Sequence, residues 1–253
     1  MKIFIKNSFV LSIVSAGVLL IHTTNVAEAN SNVVKTNEIK VENQTIEVET
    51  INDNGVEIQV IKTDVKEADK EKIAKAIEEK YTPDEKVSYD KKTSLYKVES
   101  EDIASTASCL FTDTTGPVYG YDRDGRTTNK VTTCRNHNDF IGTRTVGTNR
   151  GGAIESHFFG SGNADKIYLL ASYSWSGIGI TSISFPPSVG FGKVGSTVNW
   201  KSSSITGTWL GKTIHEEVSA TAFGNISYMD ITSKAEIYKG SYIYRPSKLI
   251  RHY

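Results

Sequence analysis

The sequence predicts a mostly β protein: a small N-terminal α+β domain with the order strand, strand, helix, strand, strand (ββαββ), followed by an antiparallel β-sandwich. In the second half, segments of alternating polar and apolar residues are separated by turn residues at the spacing of about 8–12 residues that sandwiches and barrels show. In the first half, one segment has the apolar spacing of a helix and its neighbours alternate as strands do. The 253 residues suffice for one large or two small domains.

The first 29 residues have the pattern of a secretory signal peptide. Lys2 and Lys6 precede an apolar stretch at 8–21, and Ala27-Glu28-Ala29 has the small-x-small pattern of a cleavage site. We expect cleavage after Ala29 and a secreted, extracellular product. An uncleaved membrane anchor is the alternative, although the apolar stretch is short for a helix that crosses a bilayer core of about 30 Å.

Charge divides the remaining chain in two. Residues 30–105 hold 12 Lys, no Arg and 18 acidic residues, a net of −6, whereas residues 106–253 hold 15 basic and 10 acidic residues, a net of +5. The composition changes within the small, polar segment 100–108. We therefore predict an acidic α+β domain at 30–105, which is a candidate pro-region, and a basic β-sandwich domain at 106–253.

Strand and helix patterns in the acidic domain follow one another closely. "QTIEVET" at 44–50 alternates, "NDNG" at 52–55 is a hairpin signal because Asn-Gly tolerates positive φ, and "VEIQVIKT" is the returning strand. Asp64 and Glu67 resemble a capping box for a helix from about Val65 to Lys80. "KVSYD" and "SLYKVES" then predict a second hairpin.

The basic domain shows no helical pattern and is rich in Ser, Thr and Gly. Its stretch "ISFPPSVGFGKVGSTVNW" at 183–200 alternates and is then interrupted by Pro186-Pro187. Proline lacks the N–H that a strand ladder needs, so we predict that a strand ends at Phe185 and that the chain turns there. Between 171 and 208 only Lys193 and Lys201 are charged, which indicates a hydroxyl-covered surface. We expect that surface to bind a target through those lysines and the three tryptophans, Trp175, Trp200 and Trp209.

Residues 150–245, with these Ser/Thr/Gly-rich strands, the phrase "SISFPPSV" and the tryptophans around it, resemble small secreted β proteins of Gram-positive, Bacillus-type bacteria that have no assigned role. This resemblance implies secretion and a β-sandwich. It carries no catalytic residue over to this chain.

Cys109 and Cys134 are the only cysteines. In an oxidising compartment they predict one disulfide, worth about 3 kcal/mol in the chain-entropy model. Two free thiols are the alternative.

Polar residues in two places are candidates for catalysis. "CRNHND" presents His137 and Asp139, and Glu155 and His157 lie two apart in a predicted strand, on one side of it. Together they could form a catalytic or metal cluster if the fold joined them. No nucleophile motif accompanies them.

Two motif fragments are incomplete. His215-Glu216-Glu217 lacks the second histidine four residues on that a zinc protease needs, because position 219 is Ser. "YDRDGRT" at 121–127 lacks the further ligands of a calcium loop and reads as a turn. We expect no metal and no cofactor.

Since no catalytic motif is complete, we expect a binding function. The β-sandwich would bind a cell-envelope, membrane or glycan target, with toxin-like or antibacterial action as one form of it, and the acidic domain would contact the basic domain of the same chain as its pro-region. An uncleaved two-domain binding protein and a secreted hydrolase that uses His137, Asp139, Glu155 and His157 are the alternatives. The scattered basic residues and the export signal argue against a nucleic-acid partner.

Overall fold

The computed structural model describes residues 32–41, 43–80, 109–138 and 142–253. These residues form antiparallel sheets and a single α-helix, so the prediction of a mostly β protein is confirmed. No helix within them is long and apolar enough to cross a membrane. The predicted signal peptide, the second N-terminal hairpin and the segment 100–108 lie outside the described residues.

The N-terminal part begins with three strands and the helix. They are β1 (Asn32–Val41), β2 (Gln44–Asp53), β3 (Val56–Ile61) and α1 (Glu67–Lys80). β2, β3 and α1 were predicted, and the turn between the two strands uses positive φ at Asn54 and Gly55 as expected. β1 was not predicted, so three strands rather than two precede the helix.

Thirteen further strands follow among the described residues, and none of these residues after 108 is helical. These strands are β4 (Phe111–Asp122), β5 (Gly125–Asn138), β6 (Thr143–Phe158), β7 (Ala164–Gly177), β8 (Ile180–Ser184), β9 (Phe191–Val194), β10 (Thr197–Lys201), β11 (Ile205–Thr208), β12 (Leu210–Ile214), β13 (Ser219–Ala222), β14 (Ile226–Lys239), β15 (Tyr242–Tyr244) and β16 (Ser247–His252). Pro186-Pro187 lie just beyond the end of β8, which stops at Ser184.

The strands form two antiparallel sheets. In the first, β6 pairs with β5 along one edge, and β12 and β13 pair with successive parts of its other edge. β4 extends this sheet beyond β5, and β8 extends it beyond β13. The second sheet has the order β15-β14-β7-β10-β9, with β16 also paired to β14 and β11 also paired to β7.

The N-terminal strands belong to the first sheet. β3 pairs with β12 from Leu210 opposite Ile61 to Thr213 opposite Ile58, and β2 and β1 follow outward. The acidic segment is therefore hydrogen-bonded to the second half of the chain. The predicted division at residue 105 stays a prediction.

One buried cluster of apolar side chains draws on both sheets and on α1. Val60 from β3, Ile77 from α1, Ile154 from β6, Leu169 from β7 and Ile231 from β14 all belong to it, and each is at most 1% exposed. Burial on this scale is the main stabilising contribution to such a fold. At one end of the first sheet Cys109 and Cys134 form the predicted disulfide.

Candidate binding site under helix α1

Helix α1 packs against the first sheet, and a buried lysine holds it at the end of β6. The Lys70 ammonium donates to the carbonyl oxygens of Phe158, Gly160 and Gly162 at 3.2, 2.6 and 2.5 Å. It also lies over the Trp209 ring, 5.7 Å from the centroid. Burial lowers the pKa of Lys70, but three carbonyl acceptors favour the charged form.

Beneath the helix lies the guanidinium group of Arg126. This residue of β5 sits opposite His157 of β6, and its side chain is only 4% exposed. Its Nη1 is 2.6 Å from Glu71 Oε1 and its Nη2 is 3.5 Å from Glu78 Oε1, both on α1. Arg126 is thus held by two carboxylates that the N-terminal segment supplies.

Two aromatic rings fix the position of this guanidinium. The carbon at its centre lies 5.0 Å from the ring centroid of Tyr119 and 4.8 Å from that of Phe159. The Tyr119 hydroxyl donates to Glu78 Oε2 at 3.1 Å. Stacking on rings and a fixed fork geometry are what make arginine a specific receptor for carboxylates.

A second ion pair lies beside Arg126 on the same face. Lys212 of β12 pairs with Glu155 of β6, and their Nζ and Oε1 atoms are 2.7 Å apart. His157 Nε2 is 3.5 Å from Glu155 Oε2, and Arg126 Nε donates to His157 Nδ1 at 3.4 Å. Because His157 Nδ1 accepts a hydrogen bond, the ring proton is on Nε2, which makes no hydrogen bond among the described residues.

Burial sets the protonation of this group of side chains. It lowers the pKa of His157 well below its usual value, and the charges of Arg126 and Lys212 act in the same direction, so His157 is neutral. Burial, with the nearby charge of Glu155, raises the pKa of Glu78. Burial and the Glu78 carboxylate raise the pKa of Tyr119 to about 12. A neutral histidine, two cations and buried carboxylates therefore meet under α1.

The four predicted catalytic candidates do not come together as a set. Glu155 and His157 lie in this site, but His137 is opposite Arg144, eleven positions before Glu155 along β6. At about 3.3 Å per residue this places His137 on the order of 30 Å away. Asp139 lies outside the described residues. The site therefore contains two of the four predicted candidates, Glu155 and His157, together with residues that were not predicted.

The three tryptophans are core residues, which corrects the expectation that they contact a target at the surface. Trp175, Trp200 and Trp209 are 2%, 4% and 0% exposed. Each occupies a position that faces inward, and the ring N–H groups of Trp175 and Trp209 donate to the carbonyl oxygens of Val146 and Thr63.

The two lysines grouped with those tryptophans are exposed. Lys193 lies on β9, and Lys201 ends β10, where it pairs with Glu236 at 2.7 Å and lies 4.3 Å from the Tyr168 ring centroid. Their part in binding stays a prediction.

Sequence reasoning missed the members of the site that come from distant segments: Lys70, Glu71, Glu78, Arg126 and Lys212. The only local signal is charge within an otherwise apolar strand, as at Lys212 in "WLGKTI". His215, rejected as a metal ligand, is a buried residue bonded to Tyr173 Oη at 2.6 Å and Asn129 Oδ1 at 3.0 Å. Across the described ranges, no group of three or more His, Cys, Asp or Glu could hold a metal ion.

No family model, curated protein or solved structure matches this chain. The resemblance to secreted β proteins of Gram-positive bacteria therefore stays a prediction.

The buried histidines predict acid sensitivity. Burial lowers the pKa of His215 from 6.5 to about 3, so the unfolded chain binds a proton that the folded chain does not. The resulting stability is fully present above pH 6.5 and is lost as the pH falls toward 3. We expect the free energy of unfolding to drop by about 2 kcal/mol between pH 8 and pH 5 from His215 alone, as urea denaturation would measure. His157 acts in the same direction, and the raised pKa of Glu78 offsets part of the loss.

The ring proton signals of His215 in NMR spectra provide the control, because they should not titrate above pH 5. A midpoint near 6.5 for His215 in the folded protein would contradict this prediction.

Proposed function

We propose that this chain is an exported precursor whose second half binds a carboxylate-bearing target at a cell surface, and whose N-terminal segment covers the binding site as a pro-region. One observation carries the proposal: Arg126, 4% exposed, is held by Glu71 and Glu78 of the N-terminal segment. Removal of α1 would expose an arginine prepared for carboxylates and without its partners. The opposite net charges of the two halves, −6 and +5 from the sequence, favour this cover.

The class of target follows from the groups that α1 supplies. A guanidinium stacked between Tyr119 and Phe159 binds a carboxylate through two parallel hydrogen bonds. Lys212 beside it is already neutralised by Glu155. The site therefore has one strong anion receptor within an aromatic setting, which suits acidic sugars or acidic side chains of a cell surface better than a neutral glycan.

The cover is held firmly, so a single cut would not release it. β3 is paired to β12, and Lys70 is bound by three carbonyl groups of the second half. We propose that cleavage near 100–108 leaves the segment in place until a target displaces it. We further propose that the two sheets of the mature part form the β-sandwich that the sequence indicates, since they share one buried cluster.

Mass spectrometry of the culture supernatant tests the pro-region. We expect a product that begins within 100–108, and a chain that begins only at Asn30 would remove the pro-region from the proposal. Binding is tested with that product on immobilised polygalacturonate, with neutral dextran as the control matrix. Arg126→Gln should abolish retention, whereas the exposed Arg245→Gln should retain it. Equal loss in both variants would contradict the assignment of the site.

A secreted hydrolase is the second candidate, because Glu155 and His157 do meet, 3.5 Å apart. In that case the neutral His157 would act as a base once α1 had moved. A His157→Asn product that keeps full activity on any substrate found would exclude this role.

A further inference from the structure

Large exposed apolar side chains are concentrated at one end of the molecule, remote from α1. Among the described residues, twelve large hydrophobic side chains are exposed, and six of them lie at this end. Three are more than 70% exposed: Ile178 at 77%, Val194 at 74% and Tyr253 at 78%. The six are Leu110, Phe111, Ile178, Val194, Phe223 and Tyr253.

Backbone hydrogen bonds bring the loops of this end together. Ile178, after β7, donates its N–H to the carbonyl of Asn225 at 2.8 Å, and Phe223, after β13, donates to the carbonyl of Gly179 at 3.0 Å. The loops that follow strands of both sheets thus present Ile178 and Phe223 side by side. The β9–β10 turn lies next to the end of β7, because the backbone N–H of Trp175 donates to the carbonyl oxygen of Ser196 at 3.1 Å.

Next to these loop tips is a cavity of about 730 Å³. Leu110 and Phe111 at the start of β4 line it, together with Asn225, Ile226 and Tyr253. An apolar surface of this extent, open to solvent and built from several loops, is typical of an interaction site.

Cations surround the apolar tips. Arg135 and Arg144 line the same cavity and are exposed. Arg135 Nη1 donates to the main-chain oxygen of Tyr253, the last residue of the sequence, at 2.8 Å, and Arg144 Nη1 donates to the amide oxygen of Asn225 at 2.7 Å. No aspartate or glutamate is among the described residues that line the cavity. Two carboxylates lie in its surroundings: Asp113 is 3.7 Å from His252 Nδ1, and Asp230 is paired with Arg251.

We propose that this end docks on an anionic phospholipid bilayer. Ile178 and Phe223 enter the headgroup region, and Arg135 and Arg144 contact lipid phosphates. Apolar tips combined with nearby arginines match the two forces that hold proteins at such a surface, burial of apolar area and attraction to anionic lipids.

This inference does not rest on the covered site. Arg144 pairs near the start of β6, whereas α1 is bound at Phe158, the last residue of the same strand. The lipid-binding end is therefore exposed while α1 is in place. The complete exported chain, with residues 30–80 retained, is the right material for the test.

Co-sedimentation with vesicles tests the proposal, using phosphatidylcholine alone and phosphatidylcholine mixed with phosphatidylserine. We expect binding to the mixed vesicles, weakened by salt, and little binding to the neutral ones. Removing both arginines (Arg135→Gln with Arg144→Gln) should weaken binding about fivefold for each. The double change Ile178→Ser with Phe223→Ser should weaken it about tenfold or more.

Matched variants at the opposite end provide the control. Tyr242, 58% exposed, and Arg245 lie at the β14–β15–β16 end, so Tyr242→Ser and Arg245→Gln should leave vesicle binding unchanged. Equal binding to neutral vesicles, or equal loss in the control variants, would overturn the proposal.

A second measurement does not depend on a loss of binding. Phe223→Trp places a fluorophore at a loop tip, and its emission should shift to the blue and be quenched by brominated lipid when anionic vesicles are added. An unshifted, unquenched emission from a variant that sediments with the vesicles would overturn the proposed orientation.

Discussion

Replacing Arg126 by methionine is expected to lower the free energy of unfolding by about 3–5 kcal/mol. Methionine fills much of the space between the Tyr119 and Phe159 rings, but it removes one cation from the surroundings of Glu78, whose side chain is 15% exposed. Breaking a buried ion pair by removing one member is costly because the other charge keeps its desolvation penalty. Urea denaturation at neutral pH measures the change.

Two further variants separate this effect from lost packing. Arg126→Met combined with Glu78→Gln should recover part of the loss, because the second change removes the negative charge that Arg126 balanced. Arg123→Met, which affects an arginine side chain that is 57% exposed, should change stability by less than about 0.5 kcal/mol. A loss for Arg126→Met no larger than that for Arg123→Met would show that the pair under α1 contributes nothing.

Replacing Lys70 by methionine is expected to cost about 3 kcal/mol and to loosen α1 in particular. The change removes the donor for three carbonyl oxygens at the end of the first sheet, two of them in buried bonds. Isolated helices of this length are marginal in water, so α1 depends on its docking. Hydrogen exchange read by mass spectrometry should show faster exchange in 67–80 than in β6.

Lys75 on the exposed side of the same helix gives the matched control. Lys75→Met should change stability by less than about 0.5 kcal/mol and leave the exchange of α1 unchanged. If Lys70→Met left the helix amides as protected as those of β6, the anchoring role of the ammonium would be wrong.

Local patterns were enough to predict much of the fold. The alternation of Ile46 and Val48, the turn at Asn54-Gly55 and the break at Pro186-Pro187 are each decided by neighbouring residues, and the structure has them where they were expected. β1 escaped prediction because it is an outer strand with few buried apolar side chains among those described, Ile39 being one. An edge strand of this kind has no clear alternation to read.

The site depended on long-range pairing that no local pattern encodes. The two-residue spacing of Glu155 and His157 correctly placed them on one face, but Arg126 and Lys212 join them only through the register of β5 and β12 against β6. The tryptophans show that local alternation also does not tell which face of a strand is buried. Alternation puts Trp175 in line with Tyr173 but does not say which face is inside, and both residues are buried.

The pairing of β3 with β12 has a consequence for any form of the protein that lacks the N-terminal strands. Gly211 and Lys212 lie opposite Val60 and Gln59, so loss of β1–β3 leaves that margin of β12 with backbone donors and acceptors facing water. Open margins of this kind attract strands from other molecules. A shortened chain would thus gain a template for polymer growth, and its assembly state would depend on concentration in a way that the intact chain's does not.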